Sequence, residues 1–495
     1  MTIHKNKILE HYFSTFRNNI IGIDQEFVSP YGRKKIIYAD WIASGRMYKP
    51  LEDAMNNKFY PFVANTHTET NITGSSMTLA YKRAKEIIKK HVNAQDGDIL
   101  ISSNSGMTGV VNKLQRIIGI KLHEKFHDKI KILPDERPVI FVTHMEHHSN
   151  QTSWIETTGE VVVIAADKDG LVDTNDFQRL LIKYKDRKIK IAAITSCSNV
   201  TGIDTPYHKM AGMIHETGGY CFVDFACSAP YINIDMHPSD PNEYLDAIYF
   251  SPHKFLGGPS SSGIMIFNQR LYNNRVPDNP GGGTVDWTNP WGEHKYHEEI
   301  EAREDGGTPA FLQTIRVALC INLKEQMGVQ NILSREHELL EMIWHRLSKI
   351  PNLRVLADQH KDRLGVISFY IKDLHFNLAV KILNDRFGIQ MRGGCSCAGT
   401  YGHYLLEVSY DKSKLLTDEI SKGFLANKPG WVRMSIHPTM TNQEIDYILD
   451  ALDELCLHHK EWATDYIYNV HTNEFKHIAE PQTEMKLVEE WFSTI

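Results

Sequence analysis

Short apolar runs alternate with longer amphipathic stretches between about residues 35 and 270. Five of these runs are short, apolar and partly β-branched or aromatic. We predict strands over 138–142, 190–195, 219–223, 246–250 and 263–267. The stretches between them repeat apolar residues at helical spacing, and the one over 206–217 begins with a proline, which suits the first turn of a helix. The alternation predicts βα units on a mostly parallel sheet, and therefore an α/β fold.

The pattern changes after residue 275, where Gly, Pro and Trp crowd the segment 275–299 and predict a loop. Helical spacing returns over 309–349, with an interruption near Gly328. Beyond it we predict strands near 353–356 and 365–371, a helix near 376–386, and a strand and a helix within 431–457. These elements predict a second, smaller α+β domain.

The predicted organisation has an N-terminal arm, two domains and a tail. They span 1–34 (arm), 35–310 (large domain), 311–457 (small C-terminal domain) and 458–495 (tail). The tail mixes aromatic and charged residues without clear periodicity. We expect it to pack on the large domain or to contact a partner.

Composition supports a globular protein and excludes some partners. The 495 residues are 42% apolar and 23% charged, which is enough for a core larger than one ordinary domain. Lys and Arg total 54 against 61 Asp and Glu, so the net charge of −7 disfavours nucleic acid and anionic membranes as partners. The N-terminus lacks an apolar core of signal-peptide type, and no run of about eighteen apolar residues occurs. We therefore expect a soluble, cytoplasmic protein.

The seven cysteines are too few and too irregularly spaced for a disulfide framework, so we expect reduced thiols. Most of them lie in apolar settings, as Cys221 does, where a small buried side chain is the simplest interpretation. Cys395 and Cys397 differ because glycines surround them. An adventitious pair in a glycine turn is the alternative to a functional one.

Lys254 lies just beyond an apolar strand, in a run of small and flexible residues. Ser251 and His253 can both donate to a phosphate, and the glycines that follow let the backbone approach a ligand closely. A lysine in such a pocket can lose its proton and form an imine. A solvated surface charge is the alternative for this lysine taken alone.

Asp224 ends another apolar strand, thirty positions earlier in the chain. Ligand crevices open at the carboxyl edge of a parallel sheet, and a carboxylate there suits a pyridinium nitrogen. The alternative is a helix N-cap, which is common after strands.

His147 follows the strand that ends at Val142, so its ring can stack on a ligand at the same edge of the sheet. Neighbouring histidines also suggest a metal. A zinc helix motif needs two histidines one turn apart and a third ligand elsewhere, and this spacing does not match it. We predict no metal.

Two glycine-bearing turns can bind phosphate. Between a predicted strand and an amphipathic helix, the amides of Gly106 and Met107 and the hydroxyl of Thr108 would face an anion at the helix N-terminus. The second turn is 281–284, which ends in Thr284 and could reach across a dimer interface. Amine, carboxylate, flat ring and phosphate donors together are what pyridoxal 5'-phosphate (PLP) requires.

These segments, in this order, resemble the class V (fold-type I) PLP enzymes, and most closely the cysteine desulfurase and selenocysteine lyase branch. The resemblance runs from about residue 35 to residue 457. It is carried by MEHHSN (145–150), SNVTG (198–202), SPHK (251–254), GGGT (281–284) and the Gly-Thr-Pro turn (307–309). It implies a fold-type I PLP-dependent transferase with a mostly parallel sheet in the large domain, PLP as cofactor, and a homodimer.

The resemblance also implies roles for individual residues. Lys254 would be the Schiff-base lysine, Asp224 the pyridinium partner and His147 the stacking ring. Thr108, Ser251 and His253 would bind phosphate, and Asn199 would touch the substrate or the cofactor O3'. Within 391–398, Arg392 would bind the substrate carboxylate and Cys397 would be the sulfur-accepting nucleophile. A guanidinium suits that task because it grips a carboxylate through two parallel hydrogen bonds.

The chain departs from the desulfurase pattern at three places. Cys227 stands where the family usually has a glutamine that donates to the cofactor's phenolic oxygen. Cys395 stands where the desulfurase branch has histidine. Together with Cys397 it forms a pair that resembles the paired cysteines of molybdenum-cofactor sulfurases. The segment 400–430 is longer than a compact desulfurase needs, and loops of that length are commonly lids or partner sites.

Three functions remain open from the sequence. The leading hypothesis is a transferase that takes sulfur from L-cysteine onto Cys397 as a persulfide, releases alanine and passes the sulfur to an acceptor protein. The second keeps PLP without a catalytic cysteine, as a lyase, epimerase or aminotransferase acting on another amino acid, and Cys227 favours it. The third is a non-catalytic scaffold or sulfur carrier that retains the fold.

Overall fold

The structure is a computed structural model that describes residues 2–66, 68–479 and 483–493. Contacts divide the chain into two compact units. The large unit comprises Ala43–Ser198 and Ile203–Gln330, and the small unit comprises Met1–Ile42, Asn199–Gly202 and Asn331–Ile495. Each unit is therefore built from separate stretches of chain.

The described strands are numbered in chain order. They are β1 (Glu26–Ser29), β2 (Gly32–Lys35), β3 (Ile37–Tyr38), β4 (Asp98–Ser103), β5 (Val139–Thr143), β6 (Glu160–Ile164), β7 (Lys190–Thr195), β8 (Tyr220–Asp224), β9 (Ala247–Phe250), β10 (Gly263–Asn268), β11 (Val285–Thr288), β12 (His294–Tyr296), β13 (Leu353–Val355), β14 (Val366–Ile371), β15 (Ile389–Gln390), β16 (Arg392–Gly394), β17 (Trp431–Ser435), β18 (Tyr466–Asn469) and β19 (Glu474–His477).

The α-helices are numbered in the same way. They are α1 (Thr2–Arg17), α2 (Lys49–Ala54), α3 (Ile72–His91), α4 (Gly106–Ile117), α5 (His148–Ile155), α6 (Thr174–Lys183), α7 (Tyr207–His215), α8 (Ile300–Glu304), α9 (Phe311–Met327), α10 (Val329–Leu347), α11 (Phe376–Phe387), α12 (Gly399–Leu405), α13 (Tyr410–Ser421), α14 (Asn442–Trp462) and α15 (Thr483–Phe492).

A seven-stranded sheet forms the centre of the large unit, in the order β4-β10-β9-β8-β7-β5-β6. Only β10 runs against its neighbours, so β4 through β9 all point the same way. Their carboxyl ends therefore share one edge of the sheet. The strands read as continuous apolar runs because most of their residues are buried on both faces, as in β5 and β7. The α/β class predicted from the sequence is confirmed.

The start of β10 is packed tightly against the turn that opens α4. A Cβ added at Gly263 would overlap the carbonyl group of Gly106. Glycine is thus required at position 263 by close approach of two backbones. This contact holds the first turn of α4 beside the carboxyl ends of the parallel strands.

The small unit has a four-stranded sheet in the order β13-β14-β17-β16, with antiparallel pairing throughout. Residues from the N-terminal part of the chain belong to it: β3 pairs in parallel with β15, and Arg17 of α1 forms an ion pair with Glu444. The sequence prediction had placed 1–34 in a separate arm and 311–330 in the small domain, whereas contacts group 311–330 with the large unit. Long-range pairing of this kind leaves no local pattern in the sequence.

Three segments contain more regular structure than their sequences predict. The predicted loop over 275–299 holds a hairpin of β11 and β12, so that prediction was wrong in part. The segment 400–430 carries α12 and α13. The tail forms a second hairpin, β18 with β19, followed by α15.

None of the helices in the described ranges is both long enough and apolar enough to cross a lipid bilayer.

Candidate active site

Asp224 is the last residue of β8, and its side chain is buried at the carboxyl edge of the large unit's sheet. One carboxylate oxygen accepts a hydrogen bond from the amide of Ala226 at 2.8 Å. Burial raises the pKa of Asp224 to about 6, against the opposing effects of that amide and of the Lys254 charge. The carboxylate is therefore within the electrostatic reach of Lys254, and it is ionised at neutral pH.

Lys254 ends a single 3₁₀ turn that follows β9. The backbone of this turn is held in place, because the Lys254 amide donates to the Ser251 carbonyl at 3.1 Å and the His253 carbonyl accepts from the Gly45 amide at 2.9 Å. Gly258, one of the glycines that we expected to admit a ligand, lies so close to the Pro252 carbonyl that a Cβ would overlap it. That glycine serves backbone packing behind the lysine.

Gly106, Met107, Ser251 and His253 come together at the first turn of α4. The Met107 amide donates to the Ser251 hydroxyl at 3.0 Å. A Cβ built on Gly106 would lie 3.4 Å from the Ser251 hydroxyl and 4.0 Å from the His253 ring. Burial, with a smaller contribution from the Lys254 charge, lowers the pKa of His253 to about 4, so the ring is neutral at neutral pH. A backbone amide, a hydroxyl and a neutral imidazole are suitable donors for a phosphate.

His147 caps the N-terminus of α5, because its Nδ1 accepts a hydrogen bond from the Ser149 amide at 3.1 Å. In the neutral ring this leaves the proton on Nε2. The Ser149 hydroxyl shares a 2.7 Å hydrogen bond with the hydroxyl of Thr108 on α4. His147 and Thr108 are thus linked through one residue. Within the described ranges, no cluster of three or more His, Cys, Asp or Glu side chains is arranged to hold a metal ion.

Thr284 is fully buried in the large unit. Its hydroxyl donates to the Gly281 carbonyl at 2.6 Å and accepts from the Gly281 amide at 3.2 Å. The hydroxyl therefore closes its own glycine loop, and a phosphate contact through Thr284 stays a prediction.

Glu146, next to His147, is a residue whose importance the sequence reasoning missed. Its side chain is fully buried, and one carboxylate oxygen accepts from the amide and hydroxyl of Thr143 at 3.2 and 2.7 Å and from the Thr195 amide at 2.8 Å. The other oxygen accepts from the Asn150 side chain at 2.8 Å. Burial raises the pKa of Glu146 to about 8, although these donors lower it. The carboxyl group ties β5 to β7 directly beneath the His147 turn.

Asn150 extends this buried network to β9. Its side-chain oxygen accepts from the Trp154 indole at 3.0 Å and from the Tyr249 hydroxyl at 2.6 Å. An indole only donates, so the orientation of the Asn150 amide follows from its neighbours. The network explains the MEHHSN segment as a support for His147. A glutamate and an asparagine one helical turn apart, beginning after a buried strand, was the available signal.

Glu146→Gln is expected to change how stability depends on pH. A carboxyl group whose pKa rises from 4.5 in the unfolded chain to about 8 in the folded chain loses its stabilising contribution as pH rises through that window. The variant has no such group. The unfolding free energy of wild type should therefore fall by several kcal/mol relative to that of the variant between pH 5 and pH 8.5, since one pKa unit is about 1.4 kcal/mol. Guanidinium denaturation at four pH values measures it.

The exposed Glu156, at the end of the same helix, provides the matched control. Glu156→Gln should follow the wild-type protein at every pH. Parallel curves for wild type and Glu146→Gln would contradict the burial argument.

Cys227, the residue that replaces the family glutamine, is buried in the large unit. Its sulfur lies 3.7 Å from the sulfur of Cys197 and 3.6 Å from the Ser198 carbonyl oxygen. Burial raises the pKa of Cys197 well above its usual value. Cys227 therefore faces Cys197 in the core, and the Cys197 thiol stays protonated.

Arg392, predicted to bind a substrate carboxylate, is half-exposed in the small unit. Its Nε donates to Asp40 at 3.0 Å, and the other oxygen of Asp40 accepts from the buried Arg433 at 2.8 Å. Arg433 also donates to the Asn199 carbonyl at 3.2 Å. Sequence reasoning missed Asp40 and Arg433, because neither belongs to a motif. Asp40 lies 352 positions from Arg392 in the chain, and Arg433 lies on a different strand, β17.

Asn199 is buried in the small unit, where its side-chain nitrogen donates to the Ser396 carbonyl at 2.7 Å. Its side-chain oxygen is buried without a hydrogen-bond partner among the residues that the structure describes. A buried amide oxygen without a partner is costly, which marks this residue as one that a ligand would complete.

The loop that carries Cys395 and Cys397 forms a tight turn. The Ala398 amide donates to the Cys395 carbonyl at 3.0 Å, and the two central residues, Ser396 and Cys397, have φ angles of 51° and 57°. Left-handed backbone costs a residue with a side chain roughly 1–2 kcal/mol. Such strain is typical of functional sites. Cys397 is exposed, and Cys395 is half-buried.

The residues at the sheet edge of the large unit fit PLP by the chemistry of their donor groups. A buried carboxyl group suits a ring nitrogen, a partly exposed lysine suits the aldehyde, and the donors around Met107 and Ser251 suit the phosphate. Arg392, Asn199 and Cys397 belong to the small unit.

The sequence profile described as Aminotransferase class-V matches residues 37–448. A probable cysteine desulfurase of Halalkalibacterium halodurans is 27% identical over 367 residues, which cover 73% of this chain and 84% of that protein. A cysteine desulfurase of Haloferax volcanii is 24% identical over 422 residues, 84% of this chain and 89% of that protein.

Solved structures show the same fold. The apo structure of a cysteine desulfurase from Thermococcus onnurineus NA1 has a TM-score of 0.70 at 22% identity and covers 85% of this chain and 95% of that chain. The Escherichia coli cysteine desulfurase CsdA has a TM-score of 0.69 at 20% identity and covers 90% of this chain and 98% of that chain. Because the profile spans most of the sequence and the fold agrees with it, the chain belongs to the class-V aminotransferase family, whose members are PLP-dependent enzymes.

Proposed function

We propose that the protein is a cysteine desulfurase that moves sulfur from L-cysteine onto Cys397 and releases alanine. The observation that carries this proposal is the exposed Cys397 on a strained turn, three residues after the end of β16 and close in sequence to the half-exposed Arg392. Exposure leaves the Cys397 sulfur accessible to a substrate, which a reactive cysteine requires. The curated relatives named cysteine desulfurases support the same reaction.

The large unit would hold PLP. Lys254 would bind it covalently, Asp224 would hold its ring nitrogen and His147 would pack on its ring. Gly106, Met107, Thr108, Ser251 and His253 would surround its phosphate. When bound, PLP supplies an electron sink for the substrate carbon that bears the amine. Once free, the Lys254 amine carries a proton from that carbon.

The small unit would supply the substrate contacts and the nucleophile. Arg392 binds the substrate carboxylate, and Asp40 positions its guanidinium through the Nε bond at 3.0 Å. The Cys397 thiolate attacks the substrate sulfur, the bond between that sulfur and the substrate Cβ breaks, and its electron pair stays with the carbon fragment. Protonation of that fragment yields alanine. The reaction balances without an external oxidant, since the sulfur remains on Cys397 as a persulfide.

Cys227 favours the second candidate, a PLP-dependent lyase, epimerase or aminotransferase without a catalytic cysteine. Its thiol faces Cys197 in the core at 3.7 Å, so it does not replace the glutamine that donates to the phenolic oxygen in the desulfurase branch. A third possibility is a non-catalytic scaffold that retains the fold. The experiment below separates the three.

The proposal extends to partners and location. We expect a cytoplasmic homodimer that passes sulfur to an acceptor protein. Trp287 and Trp291, which are 48% and 83% exposed in the β11–β12 segment, are apolar surface that a second copy would bury. Thr284 and its glycine loop immediately precede this hairpin.

The test supplies purified holoprotein with L-cysteine and a dithiol, and measures alanine, sulfide, ammonia and keto acid together. We expect alanine and sulfide in equal amounts, and at least a hundredfold less of both in Cys397→Ser, since loss of a nucleophile removes a covalent route (roughly 10²-fold or more). Ammonia or keto acid with unchanged rates in Cys397→Ser would favour the second candidate. No reaction with any amino acid would favour the third.

A further inference from the structure

We propose that Cys395 is a second reactive thiol of this loop, which resolves the persulfide on Cys397 and releases hydrosulfide. This inference rests on the proposed function and names the step that follows it. It assigns a role to a cysteine that the transfer of sulfur onto Cys397 does not use.

The solvent accessibility of the seven cysteines separates this pair from the others. Cys395 is half-buried and Cys397 is exposed, whereas the remaining cysteines are all buried. The buried set comprises Cys197, Cys221, Cys227, Cys320 and Cys456. Burial raises the thiol pKa throughout the part of this set for which a shift is resolved (Cys197, Cys221, Cys320 and Cys456). Reactive cysteines need access and thiolate character, and within this chain both thiols with access lie on one turn.

The turn brings the two cysteines close to each other. Cys395 is its first residue and Cys397 its third, and the bond from the Ala398 amide to the Cys395 carbonyl at 3.0 Å closes it. Two peptide units folded into such a turn bring the first and third Cα atoms within the span of about 4.4–6.8 Å that disulfides bridge. Asn199 holds the intervening Ser396 through its carbonyl at 2.7 Å, so the two thiols flank a fixed point.

The chemistry of the step balances. The Cys395 thiolate, having lost its proton to water, attacks the inner sulfur of the persulfide, which is the Cys397 Sγ. A bond forms between the two cysteine sulfurs, the bond from the Cys397 Sγ to the outer sulfur breaks, and the outer sulfur leaves as hydrosulfide. The oxidising equivalents come from the persulfide, so no external oxidant is needed. A dithiol then reduces the disulfide and restores both thiols.

The exposure and the backbone conformation of the loop also fit this role. Disulfides that are exposed or strained are the readily reduced ones, and this turn is exposed at Cys397 and has left-handed backbone at two residues. A disulfide formed here would be short-lived in the presence of a dithiol. Turnover would therefore require a dithiol, and not only an acceptor for sulfur.

The experiment is a single turnover. Holoprotein freed of reductant receives one equivalent of L-cysteine, is quenched with an alkylating agent, and is analysed for alanine, hydrosulfide and the mass of the peptide that contains both cysteines. Wild type should give alanine and hydrosulfide in equal amounts and a peptide with an internal disulfide. Cys395→Ser should give the same alanine, a peptide that carries one extra sulfur on Cys397, and hydrosulfide only after a dithiol is added.

Cys456→Ala, which removes a thiol outside the loop, is the control and should behave as wild type. If wild type forms alanine and retains the extra sulfur on Cys397 as Cys395→Ser does, the resolving role is wrong and the proposed function stands. An extra sulfur carried on Cys395 would contradict both the resolving role and the assignment of Cys397 as the nucleophile. If no alanine forms, the proposed function fails, and this step fails with it.

Discussion

Lys254→Ala is expected to reduce alanine formation from L-cysteine by at least about 10²- to 10⁴-fold, the range for loss of a positioned proton carrier. The change removes both the amine that would bind PLP and the base that would act on the substrate carbon. Lys254 is only partly buried, so its truncation leaves the core of the sheet intact. A single-turnover assay of alanine measures the effect, and the visible absorbance of bound PLP after dialysis measures retention of the cofactor.

Lys188→Ala is the matched control for Lys254→Ala, because Lys188 is an exposed lysine of the same unit. It should keep the wild-type rate and the wild-type absorbance. If Lys254→Ala retained more than about a tenth of the wild-type rate, the proton-carrier role, which should contribute 10²-fold or more, would be excluded.

Asp224→Asn should lower activity and raise stability at the same time. Asp224 would pair with the ring nitrogen of PLP. Removing one partner of a buried charge pair costs about 3–5 kcal/mol, and one tenfold in rate is about 1.36 kcal/mol, so alanine formation should fall roughly 10²- to 10⁴-fold. The Asn side chain can still accept the Ala226 amide, so the local turn is retained. The rate is measured with PLP in excess.

The stability effect of Asp224→Asn has a defined sign. Burial raises the pKa of Asp224 from 3.8 to about 6, so the protein without cofactor loses stability from this group as pH rises from 3.8 through 6. At pH 7 the variant without cofactor should therefore unfold at a higher denaturant concentration than wild type. Its unfolding free energy should be larger by up to about 3 kcal/mol. Asp186→Asn, an exposed control, should change neither property. A variant that is both inactive and destabilised would indicate a merely structural role.

The strands of the large sheet could be predicted closely, because both faces are covered and the strands read as unbroken apolar runs. The prediction over 190–195 agrees with β7 at both ends, and 263–267 differs from β10 by one residue. The prediction omitted β6, an edge strand whose side chains are mostly half-exposed, so its sequence lacks the same contrast with its surroundings. The other strands of this sheet could be predicted because they are buried on both faces.

Some residues of the candidate site could likewise be predicted from the sequence, and others could not. Asp224 ends one buried strand and Lys254 lies four residues beyond the end of another, so local sequence was sufficient to single them out. Asp40 and Arg433 could not be found, since the ion pairs that join them and Arg392 span more than 350 positions of chain. Glu146 was overlooked because the partner that joins it to a neighbouring strand, the Thr195 amide, is a backbone group that a linear motif does not display.

The pairing of β3 with β15 has a consequence for synthesis of the chain. Ile37 meets Ile389, so the small unit is completed only after roughly 350 further residues have been translated, about 20–70 s at 5–20 residues per second. Every residue of the large unit precedes position 331. On the ribosome, the large unit's sheet, together with the turn of Lys254 that follows β9, can therefore fold before Arg392 and Arg433, the two ion-pair partners of Asp40, have been synthesised.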